Sequence, residues 1–138
     1  ALQHELYQRI DRDLSVAASE ASFTSVPLEE RVRRQWSQAA SYALANPAAF
    51  RYWVHYRIGP VPVQQATAPH WVVPVMEWLA EVEATGAVRR LPRALAVAQL
   101  VGLWQTTVRF LLDHPVSPEE AATWLDQTFT GWWNTYHR

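Results

Sequence analysis

The sequence contains no cysteine. That excludes a disulfide framework, thiolate zinc sites, iron–sulfur clusters and cysteine nucleophiles, and it leaves the compartment open. Glycine is scarce, with four residues in 138, and no G-x-S-x-G elbow, Walker loop or dinucleotide fingerprint occurs. Charge of one sign is lacking too: 12 basic and 13 acidic residues leave a net charge of -1, so no overall basic field follows a phosphate backbone. The longest apolar helical run, between Arg93 and Arg109, is about 15 residues and contains Gln99 and Gln105, which reads as a core helix and not a span. The first dozen residues carry charges throughout and no apolar h-region, so no secretory signal is visible and a cytoplasmic location is expected. No strand pattern, internal repeat or low-complexity segment appears.

What remains is an ordinary globular balance, 49% hydrophobic and 18% charged, enough for one domain over 1–138 with one core. Leu2, Leu6, Ile10, Leu14, Ala17 and Ala21 recur at helical spacing and predict a helix over 2–20 with one buried stripe. Pro27 followed by Leu28-Glu29-Glu30 opens a second, over 27–45, whose apolar face is Leu28, Val32, Trp36, Ala39, Ala40 and Ala43. Asn46-Pro47 ends it, and a short aromatic helix restarts at Pro47 and runs toward Gly59. The stretch 59–68 is a proline-rich loop. A fourth helix is expected from Pro69 or Pro74 to Thr85, with Gly86 as its C-terminal cap. The fifth, over 92–113, is apolar nearly all round, so it is buried on more than one side. Ser117-Pro118-Glu119-Glu120 caps a last helix to about Tyr136.

Residues that carry chemistry form no constellation. The five histidines, at 4, 55, 70, 114 and 137, make no metal-binding pair on one helix face, and His114 reads as a helix C-terminal residue. Asp11 and Asp13, like Glu81 and Glu83, lie two apart and face apart, so no acid–base pair emerges. No enzyme activity, cofactor or metal is expected. The anomaly is eight Trp, five Tyr and four Phe, which suit core packing, a ligand cavity or an interface.

The order of helices, the segment Leu44-Ala45-Asn46-Pro47-Ala48-Ala49-Phe50-Arg51 and the segment from Glu77-Trp78-Leu79 to Gly86-Ala87-Val88-Arg89 resemble the C-terminal regulatory domain of TetR-family transcriptional repressors. The long penultimate helix with its closing partner carries the same likeness. The resemblance implies an all-α orthogonal bundle of about six helices and a small hydrophobic effector. It also implies a homodimer and operator DNA read by an N-terminal helix-turn-helix that this sequence does not contain. Ala1 in place of Met suggests a longer polypeptide, and helix 2–20 would couple the two parts. A free-standing helical carrier of an apolar compound is the alternative, and a helical-bundle metal or heme enzyme a weaker one.

Convergence of helix faces then predicts an effector pocket lined by Trp36, Ala40, Trp53, Tyr56, Trp71, Met76, Trp104 and Thr107, with Arg51 or His55 meeting an anionic group of the ligand. A solid core of the same indoles is the competing expectation. The surplus apolar surface of helix 92–113 predicts a four-helix dimer interface from the last two helices. Ala94, Ala98 and Gly102 form its flat strip, and Leu125, Thr128, Phe129, Trp132 and Tyr136 the stripe opposite.

Overall fold

Helix boundaries follow from backbone chemistry. In the computed structural model, which describes residues 2–19, 27–58, 80, 83, 84, 86 and 92–136, there are five helices among the described residues and no strand. They are α1 (Leu2–Ser19), α2 (Leu28–Ala45), α3 (Pro47–Ile58), α4 (Arg93–Asp113) and α5 (Pro118–Tyr136). Pro47 keeps Asn46 out of helical geometry, at φ -130 and ψ 63. Asn46 turns this into a cap by donating its side-chain amide to the Tyr42 carbonyl at 2.9 Å. Its own carbonyl then accepts from Phe50 at 3.0 Å, so α3 starts where α2 stops. At α5 the Ser117 hydroxyl accepts from the Glu120 N–H at 3.2 Å, with Pro118 in the first turn where its missing N–H costs nothing.

The expected helix ending at Thr85 falls mostly outside the described residues, although Ala80, Glu83 and Ala84 are helical. Gly86 has φ 74 and donates its N–H to the Glu83 carbonyl at 3.1 Å, the left-handed geometry of a helix-ending glycine.

α2 is the hub, packing on α1, α3, α4 and α5. Val32, Trp36, Ala39, Ala40 and Ala43 are all buried, as its spacing predicts, and the three alanines let neighbouring backbones come close. The α1 stripe departs from the expected one at its start: Tyr7, Ile10 and Leu14 are buried, while Leu2 is 81% and Leu6 41% exposed. Tyr7 has more surface to bury than Leu6 and takes the inward position beside Ile10.

α4 is longer in its apolar character than the run between its arginines suggests. By length and composition Leu95–Asp113 could cross a bilayer, and here it lies against α2 and α5, as a core helix does. Ala96, Val97, Leu100, Val101, Trp104, Val108 and Leu111 are buried. Arg33 fastens α2 to α5: it bonds Glu29 in its own helix and both Asp126 and Thr130 in α5, and lies 4.6 Å over the Phe129 ring.

Trp104 is wholly buried, so Trp104→Ala should destabilise the fold by about 3–5 kcal/mol, through lost transfer energy and the cavity left behind. Urea titration followed by circular dichroism reads this directly; a loss below about 1 kcal/mol would mean that the site collapses freely.

Candidate functional site

Aromatic residues of α1, α3 and α4 meet at one place. Trp53 and Trp104, both without solvent exposure, cross edge to face with centroids 6.0 Å apart, and Phe50 packs on Trp104 at 5.7 Å and on Trp53 at 6.4 Å. Tyr7 of α1 stacks over Trp53 at 6.5 Å. Each of the two central indoles also finds an acceptor. Trp104 donates its Nε1–H to the Trp36 carbonyl at 3.2 Å, and Trp53 donates to a carboxylate oxygen of Asp11 at 3.2 Å.

Of the residues expected to line a pocket, Trp36, Ala40, Trp53 and Trp104 are all buried in the core; Trp53 and Trp104 are in ring-on-ring contact, and Trp36 meets Trp104 through its backbone carbonyl while its ring packs on Phe129. Thr107, although only three residues from Trp104, sits elsewhere: its hydroxyl donates to the Leu103 carbonyl at 2.7 Å and it lines a groove between α4 and α5. Arg51 and His55 are exposed, on the outer side of α3. The Tyr56 side chain, Trp71 and Met76 lie outside the described residues.

Sequence reasoning missed Asp11, only 2% exposed. The signal was available, since Asp11 lies one position from Ile10 and three from Leu14 on the inward face. Asp13, two positions on, points away as expected and accepts from the Tyr42 hydroxyl at 3.3 Å. Tyr52 donates to the Gln3 carbonyl at 2.9 Å. α1 is thus tied by three side-chain bonds to α2 and α3. Burial, and then the neighbouring Asp13 carboxylate, raise the Tyr42 phenol above its ordinary 10.0.

Two grooves flank the outer helices. One, about 550 Å³, runs between α4 and α5 over Leu103, Thr106, Phe110, Trp124, Gln127 and Thr128; Phe110 is 45% and Trp124 36% exposed. The other, about 560 Å³, is floored by Leu44, Leu111, Val116 and Leu125 where α2, α4 and α5 meet. Among the residues expected at a dimer face, Ala98 and Gly102 are exposed and Thr128 is half-buried. Leu125, Phe129, Trp132 and Tyr136 are buried inside this chain: Phe129 packs on Trp36 at 5.7 Å, and Tyr136 donates to Glu83 at 3.1 Å. The Ala94 side chain lies outside the described residues.

The fold is similar to that of a solved protein from Shewanella sp. PV-4 assigned to the TetR family of transcription regulators. The TM-score is 0.86 at 19% sequence identity, covering 99% of this chain and 74% of that one. No family model and no curated protein matches the sequence. The likeness is one of fold: the chain has the all-α, TetR-like architecture.

Because the Tyr42 phenol is held protonated in the folded state, its contribution to stability is complete below pH 10 and is lost as pH rises through its raised folded value. The stability difference between the native chain and Tyr42→Phe should therefore be constant up to about pH 10 and shrink above it, measured by urea titration at successive pH values. A difference that grows above pH 10 would contradict this.

Proposed function

We propose that the chain is the effector-sensing and dimerising domain of a TetR-like transcription regulator, with no catalytic activity, acting in the cytoplasm as a repressor. The observation that carries this reading is the match of fold over nearly the whole chain. Operator DNA is contacted in this proposal by a helix-turn-helix of the family's N-terminal type. A small hydrophobic effector binds against the Trp36–Trp53–Trp104 wall, with Tyr56, Trp71 and Met76 as its further contacts. Binding to one conformer in preference to another then shifts the population, and α1 transmits the change.

The dimer forms through the outward faces of α4 and α5. Ala98, Gly102, Thr106 and Phe110 recur every four residues on one side of α4, beside Trp124, Gln127 and Thr128 of α5. Small residues on one helix and a half-exposed indole on the next suit an isologous four-helix contact. Exposed rings of this size in one groove favour coverage by a partner.

Gly102 separates the two levels. A Cβ there would meet nothing within 4 Å in the single chain, and a better helix former should stabilise the monomer by up to about 1 kcal/mol. Gly102→Arg should nonetheless abolish association by placing a charge and bulk where two helices approach. Sedimentation equilibrium at micromolar concentration should give twice 15.8 kDa for the native chain and the single mass for the variant. A native chain of 15.8 kDa, or a variant that still dimerises, would overturn the assignment of this face.

A further inference from the structure

Arg51 and His55, the residues expected to meet an anionic group inside the aromatic pocket, stand in a different place. They line an open cleft of about 310 Å³ between α3 and the end of α4, facing Arg109 and Asp113. The helix spacing explains how the cleft is made. Phe50 and Val54 lie four apart on α3 and are buried, forming an apolar floor. Arg51 and His55, one position on in each case, form a parallel polar row along its edge.

The charges are unequal. Arg51 and Arg109 are fixed cations, and Asp113 is the one carboxylate in the cleft among the described residues. Asp113 reaches Arg51 at 3.4 Å, with both side chains more than half exposed, a contact at the long limit of a hydrogen bond and worth little in water. Arg109 has no ion pair among the described residues. The C-terminal end of α4 brings partial negative charge to the same rim. That partial charge attracts cations, but among the described residues neither guanidinium meets the two coplanar oxygens that its fork fits.

We infer that this cleft binds an amphipathic monocarboxylate: its carboxylate is gripped by Arg51 and Arg109 with His55 alongside, and its short apolar body lies over the half-buried Leu112, with the covered Phe50 and Val54 beneath. The volume suits a medium-chain or single-ring acid, being at the small end of ligand pockets of roughly 300–1,000 Å³. The arriving carboxylate displaces Asp113 from Arg51 and exchanges a long, solvated contact for a bidentate one. The cleft shares the Phe50 ring with the aromatic cluster of Trp53 and Trp104, and the proposal does not rest on the regulator reading.

Isothermal titration of the whole chain with octanoate, 1-octanol and inorganic phosphate tests this. Octanoate should bind, with octanol and phosphate each at least about tenfold weaker because each lacks one half of the recognition. Arg51→Gln and Arg109→Gln should each weaken octanoate about tenfold while leaving the far-ultraviolet spectrum and melting temperature as in the native chain, both side chains being exposed. Gly102→Arg should bind octanoate as the native chain does, whether or not that chain dimerises. Octanol or phosphate binding as well as octanoate would overturn the proposal. So would affinity unchanged in both arginine variants, or no heat of binding at about 10 mM octanoate.

Discussion

A buried indole makes two demands at once, a large cavity shaped to its rings and an acceptor for its N–H. Most of this structure follows from how those demands are met. Trp104 reaches the main-chain carbonyl of Trp36, which ties α4 to the middle of α2. Trp53 reaches Asp11, which ties α3 to α1 and accounts for a carboxylate held out of water. The indole nitrogens of Trp36 and Trp132 have no acceptor among the described residues. Each such donor costs about 1–3 kcal/mol, and both rings pack against Phe129, where the area they bury offsets that cost.

This arrangement divides the aromatic residues into an inward set and an outward one. The inward set fastens the helices to one another. Phe110 and Trp124, tilted together at 5.8 Å, are left on the outside of α4 and α5. His114 stacks on Phe110 at 4.2 Å, where the helix ends and its carbonyls are free to accept. The outward set is the natural ground for association, while the inward set connects α1 to the residues nearest the expected effector. Differential packing of Trp53 and Trp104 would be felt at Asp11, and so along α1, without any change at the outer face.

Much of this was legible in the residues. The α2 face, the Asn46–Pro47 break, the Ser117 cap and the Gly86 helix end each rest on local chemistry that tertiary packing has no reason to override. On α1, Ile10 and Leu14 are buried as their spacing implies, but Tyr7 goes in where Leu6 was expected, because both are apolar and periodicity alone does not say which of two neighbours goes in. On α5 the strongest apolar stripe, Leu125–Phe129–Trp132–Tyr136, was expected to face a partner. Hydrophobicity selects the chain's own core first: of the residues expected at that face only Thr128 stays half-exposed, beside Trp124 and Gln127, which were not among them. The strip expected on α4, Ala94, Ala98 and Gly102, continues at the same spacing through Thr106 to Phe110, both exposed. Thr107 shows the limit of pairing residues three apart: Trp104 extends far enough to reach α2 and α3, whereas a threonine side chain stays beside its own helix.

The division of the indoles can be observed one ring at a time by fluorine NMR of the chain labelled with 5-fluorotryptophan, comparing solvent isotope shifts across a range of protein concentration. Trp36, Trp53, Trp104 and Trp132 should show small isotope shifts at every concentration. Trp124 should show a large one when dilute that disappears as the chains associate. If Trp132 instead changes with concentration while Trp124 stays exposed, the inward and outward sets are reversed and the dimer face lies on the other side of α5.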